Sequence, residues 1–178
     1  MWIEPQRVWR QRDVLKPEEH RALIDRVLAQ ESNFATEGDR LHGVRVSDEP
    51  AYYPVLAKMG ELFSQMIPRQ WQFGSTVVAH GDLNYLPRHR DDAIAPYVFT
   101  YYFRTRPSAF PGGELRVWLD SERFIDIEPE DNSLNFHAAD LMHEMLPVHV
   151  PTLRFVDSRF SITCIAVPVS AELNGSAI

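Results

Sequence analysis

What is scarce narrows the reading first. Among 178 residues there is one cysteine, Cys164, which excludes an internal disulfide and a cysteine-rich zinc site and suits a reducing compartment. No apolar run approaches the roughly 20 residues of a membrane-spanning helix. The start, "MWIEPQRVWRQRD", lacks a basic start followed by an apolar core, so it does not read as a secretory signal. These absences lead us to expect a soluble, cytoplasmic protein with no membrane partner. Basic residues are outnumbered, 18 against 25 acidic ones, and the net charge of −7 opposes a nucleic-acid partner, whose affinity would come from cations that neutralise phosphates. Repeats, low-complexity tracts and linkers are missing too. We therefore expect one domain over residues 1–178, with helical support at 14–68 and a barrel at 71–168.

What is present divides by period. In "KPEEHRALIDRVLAQES", Leu23, Ile24, Val27 and Leu28 form one apolar stripe, Pro17 suits a first helical turn, and Glu18 and Glu19 complement its positive end. In "AYYPVLAKMGELFSQMI", Val55, Leu56, Met59, Leu62, Phe63 and Met66 repeat at helical spacing. From residue 71 the period falls to 2. Expected strands are "FGSTVVAH", "YVFTYYF", "GELRVWL", "RFIDIEP", "SLNFHA", "MLPVHV" and "SRFSITCIAV", with prolines 87, 96, 107, 111, 129, 147 and 151 at their ends. The pattern predicts a mainly β protein, an antiparallel double sheet buttressed by two outer helices.

Residues 79–93, "AHGDLNYLPRHRDDA", contain His-x-Asp twice, as His80-Gly81-Asp82 and His89-Arg90-Asp91. In an extended segment the outer two residues of such a triplet point the same way and can share an ion. One further histidine completes a two-His, one-carboxylate arrangement that leaves open positions and suits non-haem iron. His137, His143 and His149 are the downstream candidates. Gly81 favours a bend, so the first triplet reads as a turn capped by Asp82 and the second as the metal pair. On the last strand Arg159, Ser161 and Thr163 share one face. If that face lines the barrel, the arginine needs an anionic partner, which a dicarboxylate would supply.

The order His89-Arg90-Asp91, "GGEL" (Gly112 to Leu115), "HEMLPV" (His143 to Val148) and "RFS" (Arg159 to Ser161) resembles the prolyl 4-hydroxylase-like Fe(II)/2-oxoglutarate dioxygenases over roughly residues 71–168. The resemblance implies a double-stranded β-helix, a jelly-roll or cupin-like barrel. It also implies iron(II) on His89, Asp91 and His143 as the catalytic metal ligands. The far carboxylate of 2-oxoglutarate would lie on Arg159 with help from Ser161 and Tyr102. His80 stands near the co-substrate, where the family commonly has a tyrosine, and Asn132-Ser133 replaces a turn glycine.

The implied reaction uses molecular oxygen and 2-oxoglutarate to hydroxylate a C–H bond of a small molecule, amino acid or peptidyl residue, releasing succinate and CO2, with ascorbate a candidate reductant. Asp91 favours hydroxylation over halogenation, since related halogenases lack that carboxylate. Two other readings stay open. One is a catalytically silent binding domain that uses the aromatic face of "YVFTYYF"; the other is a cupin-type metalloenzyme without 2-oxoglutarate, which would not need Arg159. The segment "HVPTLRFVDS" is expected to form a hairpin over the mouth of the site.

Overall fold

The computed structural model describes residues 1–34, 36–37, 40–41, 50–67, 71–92, 95–106 and 110–168. Pro107 lies outside them, as do the side chains of Met66 and Phe73. The strands are β1 (Trp2–Glu4), β2 (Val8–Gln11), β3 (Thr36–Glu37), β4 (Arg40–Leu41), β5 (Trp71–His80), β6 (Leu86–His89), β7 (Tyr97–Phe103), β8 (Leu115–Trp118), β9 (Phe124–Ile127), β10 (Ser133–Ala138), β11 (His143–Met145) and β12 (Arg159–Pro168). The helices are α1 (Pro17–Ala29) and α2 (Tyr53–Met66). None of the described helices is long and apolar enough to cross a membrane.

Two antiparallel sheets form the body. The larger has the order β1-β2-β10-β7-β12-β5 and the smaller β6-β11-β8-β9. From β5 to β12 the chain visits larger, smaller, larger, smaller, smaller, larger, smaller, larger, which is the winding of a double-stranded β-helix. Alternation along each strand then assigns two faces to the larger sheet. Phe99, Tyr101, Phe103, Leu134, Phe136, Phe160, Ile162 and Cys164 face outward and pack with Leu23 and Val27 of α1 and Val55, Met59 and Phe63 of α2. The other face, carrying Thr100, Tyr102, Ser133, Asn135, His137, Arg159 and Ser161, turns toward the smaller sheet. All seven of these polar side chains are buried.

Both helices begin as their residues dictate. Pro17 opens α1 where its missing N–H is not needed, and Glu19 Oε2 accepts the backbone N–H of Lys16 at 3.1 Å. Asn132 adopts a left-handed φ of 50° and ties the barrel to the start of α1. Its Oδ1 accepts from Leu15 N at 2.9 Å and from the Tyr101 hydroxyl at 2.8 Å, and its Nδ2 donates to Leu15 O. Asparagine tolerates that conformation where a glycine would otherwise serve.

The structure adds strands beyond the sequence expectations and corrects two of those expectations. The N-terminal stretch, to which the sequence assigns no element, forms a hairpin of β1 and β2 that extends the larger sheet through pairing of β2 with β10. "MLPVHV" is not one strand. The ladder runs from His143 to Met145 and stops because Pro147 cannot donate; Val148 makes only an isolated bridge to Gly112. Residues 86–89 form the edge strand β6, where Pro87 is tolerated. "HVPTLRFVDS" is no hairpin but a turn with left-handed Leu153 (φ 56°) followed by a 3-10 turn at Phe155–Asp157. Phe155 docks that segment against Phe34 and Phe160, with ring centroids 4.9 and 5.1 Å apart.

Candidate metal centre

Strand pairing brings the second triplet to the distal histidine. His89 at the end of β6 is the register partner of His143 at the start of β11, and Asp91 follows on a turn whose backbone N–H donates to Ala139 O at 3.0 Å. Among the described residues His89, Asp91 and His143 form the one group able to hold a metal ion, with candidate ligand atoms all within 4.8 Å of one another. The Asp91 carboxylate lies between the imidazoles, 3.7 Å from His89 Nε2 and 3.4 Å from His143 Nε2.

The chemistry of this donor set fits a divalent cation. His89 Nδ1–H donates to Pro87 O at 2.7 Å and His143 Nδ1–H to Leu141 O at 3.0 Å. Each carbonyl engages Nδ1 and thereby turns Nε2 toward the common point, where it faces the Asp91 carboxylate. The hydrogen bond from His143 holds the Asp91 carboxyl below its ordinary range, against the opposing effect of burial. An anionic carboxylate and two neutral imidazoles are the protonation states a metal requires.

The other histidines are distributed differently. His137 is buried with its ring centroid 4.5 Å from that of His143, and burial pushes its pKa down to about 3. His149 is exposed. His80 lies at the far end of the site, where Arg159 Nη1–H points to its Nδ1 at 3.4 Å. Asp82 lies apart from the metal group, its Oδ1 accepting from Val150 N at 2.7 Å, while the local turn is capped by Asn84 Oδ1 on Gly81 N.

Arg159 is the second pole of the interior. It is buried, its Nε donates to Gly113 O at 2.8 Å, and its guanidinium carbon stands 4.7 Å over the Tyr102 ring. Among the described residues it has no carboxylate partner within ion-pair distance, although burial disfavours its charge. Ser161 and Tyr102 are register partners beside it, and burial raises the Tyr102 phenol above its usual value. The "GGEL" glycines explain themselves here. Gly112 and Gly113 have φ of 79° and 75°, and a Cβ on Gly113 would stand 2.6 Å from Arg159 Cδ. Between the poles, Val8, Leu115, Val117 and Ile127 pack with Tyr102 as an apolar wall.

Sequence reasoning missed Gly113 as the acceptor for Arg159 and Asn135 as an interior polar group. The second had a visible signal. In "SLNFHA" the alternation sets Ser133, Asn135 and His137 on one face of a strand that is buried throughout.

Comparison with known proteins adds the family. Residues 69–166 match the 2OG-Fe(II) oxygenase superfamily. An uncharacterized PKHD-type hydroxylase of Synechocystis sp. is 28% identical over 182 aligned positions, covering 85% of this chain and 60% of the relative, so the chain spans less than two thirds of that protein's length. Two solved structures share the fold. A prolyl hydroxylase from Trichoplax adhaerens, determined with a peptide fragment of the hypoxia inducible factor oxygen degradation domain, superposes with a TM-score of 0.74 at 14% identity, covering 96% of this chain and 87% of that one. A prolyl-4-hydroxylase from Pseudomonas putida gives 0.72 at 20% identity, covering 92% and 93%.

Proposed function

Because the chain belongs to the 2OG-Fe(II) oxygenase superfamily, we propose that it hydroxylates an unactivated C–H bond while converting 2-oxoglutarate and oxygen to succinate and CO2, with His89, Asp91 and His143 holding the iron. The observation that carries this reading is Arg159, a buried arginine with no acid paired to it among the described residues, facing the same interior as the three metal-type donors. A buried cation is stable only when paired. The five-carbon dicarboxylate of the family's co-substrate would supply the pair at one end and carry its 2-oxo acid group toward His89, Asp91 and His143 at the other. A silent binding domain needs neither pole, and a metalloenzyme without 2-oxoglutarate needs only one.

The chain's own residues divide the work. Arg159 takes the distal carboxylate in a charge-assisted contact, and the hydroxyls of Ser161 and Tyr102 add donors beside it. His80 backs the guanidinium through its contact with Nη1. The carbonyls of Pro87 and Leu141 aim the imidazoles, and the apolar wall of Leu115, Val117 and Ile127 excludes water from the inner face. Bound iron(II) supplies the redox chemistry that joins decarboxylation of the oxo acid to oxidation of the substrate. Ascorbate belongs in the assay as a reductant that keeps the metal ferrous.

For the substrate, prolyl hydroxylase relatives favour a peptidyl proline first, ahead of a free amino acid or a biosynthetic intermediate. The test is anaerobic titration of the iron-loaded protein with 2-oxoglutarate, wild type against Arg159→Ala, followed by succinate release in air as candidate substrates are added. We expect the variant to retain iron and lose about 3–5 kcal/mol of co-substrate binding. Equal affinity in the two proteins would remove Arg159 from the site and with it the basis of this reading.

A further inference from the structure

On the inward face of β10, Asn135 and His137 carry polar atoms without a hydrogen-bond partner among the described residues. Asn135 is wholly buried, and among the described residues both its Oδ1 and its Nδ2 lack a hydrogen-bond partner. An unpaired buried amide is expensive, and such groups in native proteins call for a bound partner. Replacement by leucine, of similar size and without polar atoms, would remove that cost. A carboxamide retained here points to something that enters the barrel and meets it.

Register locates Asn135 along the interior. It is opposite Thr100 on β7, which is opposite Thr163 on β12, forming one polar row across the larger sheet. The next row toward the Arg159 end is Ser133, Tyr102 and Ser161, and Tyr102 lies under the guanidinium. The next row the other way contains His137, whose ring packs against His143. Successive rows on one face are about 7 Å apart, twice the rise per residue. Asn135 therefore stands between Arg159 and the three metal-type donors. An extended five-carbon dicarboxylic acid that joins those poles has its distal carboxylate at the outer row and its 2-oxo carboxylate beyond the middle one.

We propose that Asn135 binds the 2-oxo carboxylate end of the co-substrate, its Nδ2–H2 donating to an oxygen of that group. This rests on the functional reading above and adds to it a residue that holds the reacting end of the acid, where Arg159 holds the other. Thr100 and Thr163 in the same row offer hydroxyls that complete a polar cradle. A carboxamide suits an anion because it can donate without adding charge. An aspartate of the same size would set two carboxylates against each other.

The experiment compares wild type, Asn135→Leu and Asn135→Asp. Each is loaded anaerobically with iron(II), assayed for metal content, melted without 2-oxoglutarate, and titrated with 2-oxoglutarate by the charge-transfer absorbance of the metal complex. Asn135→Leu is expected to keep its iron, to melt no lower than wild type, and to bind 2-oxoglutarate roughly tenfold or more weakly. Asn135→Asp is expected to bind it more weakly still. Wild-type dissociation constants in both variants would overturn the inference. So would a lower melting temperature for Asn135→Leu with unchanged affinity, since the side chain would then serve the fold alone. A wild-type protein that binds iron but not 2-oxoglutarate would instead overturn the functional reading, and this inference with it.

Discussion

Gly113 and Arg159 illustrate how single residues set the interior. The glycine carbonyl accepts the guanidinium Nε, and its missing side chain leaves room for the arginine stem. Gly113→Ala combines a positive φ with a Cβ only 2.6 Å from Arg159 Cδ, so either backbone or arginine must move. We expect stability to fall by about 1–3 kcal/mol and 2-oxoglutarate affinity to fall with it, while bound iron stays near one per chain. Calorimetric titration and metal analysis on the same preparation measure all three. The histidines separate in the same way. His143→Ala should abolish stable iron binding, because its Nε2 is one of the converging donors, whereas exposed His149→Ala should retain it. His137→Ala should retain it too, with its ring beside His143 and outside the donor group. Metal content after gel filtration decides this, and loss with His137→Ala would mean a different ligand set. These residue identities were legible because each sits in a short motif with a mechanical reason. The alternation in "SLNFHA" groups Asn135 with Ser133 and His137, but it does not say whether that face or the one carrying Leu134 and Phe136 lines the site, so Asn135 was missed.

At the scale of elements, the connections rather than the strands escaped the sequence. The strands from β7 to β10 and β12 follow alternation and proline punctuation closely, since each packs one face against a dense core. Connections elsewhere in the chain use left-handed residues that are neither glycine nor asparagine: Gln6, Asp13, Leu83 and Leu153, with φ between 52° and 58°. Without a glycine or asparagine at those places, the N-terminal hairpin and the loop after Val150 could not be read in advance. Carboxylates hold these loops instead. Asp82 reaches across 68 positions to Val150 N, so Asp82→Ala should lower stability by about 0.5–2 kcal/mol and leave the metal bound, while Asp91→Ala should empty the site. Asp157 is buried and held by Thr152, Arg106 and Arg154, and the Thr152 hydroxyl is the leading cause that keeps its carboxyl below the ordinary range near 4. A carboxyl with a lowered folded pKa binds fewer protons folded than unfolded. Its contribution is therefore complete above about pH 4 and is lost as the pH falls through the folded value. Thermal melts of wild type from pH 7 to pH 2 should show that acid loss, and Asp157→Asn should start lower at neutral pH and fall less steeply in acid.

On the scale of the whole molecule, one sheet serves two purposes. The outer face of the larger sheet spends its aromatic residues on the helices, and the inner face keeps its polar ones for the site. The period-2 alternation in "YVFTYYF" and "SRFSITCIAV" encodes both. Which face is which was not legible from either strand alone. It followed only once α1 and α2 covered Phe160, Ile162 and Cys164 and left Arg159 and Ser161 inside. Cys164 makes this layering measurable. It lies in the middle of β12, 1% exposed, in the layer between sheet and helices, and burial pushes its thiol up to about 12. Near neutral pH almost no thiolate forms, and none is accessible, so a thiol reagent has no target in the native state. Reaching Cys164 requires either global unfolding or detachment of the two helices. If helices and barrel form one cooperative unit, labelling in increasing urea should follow the same midpoint as circular dichroism and tryptophan fluorescence. Rapid labelling in native buffer, with the β signal intact, would show instead that the helical layer opens on its own. The barrel and its site would then have to be stable without the helices, and the outward aromatic face would contribute little to holding the interior in place.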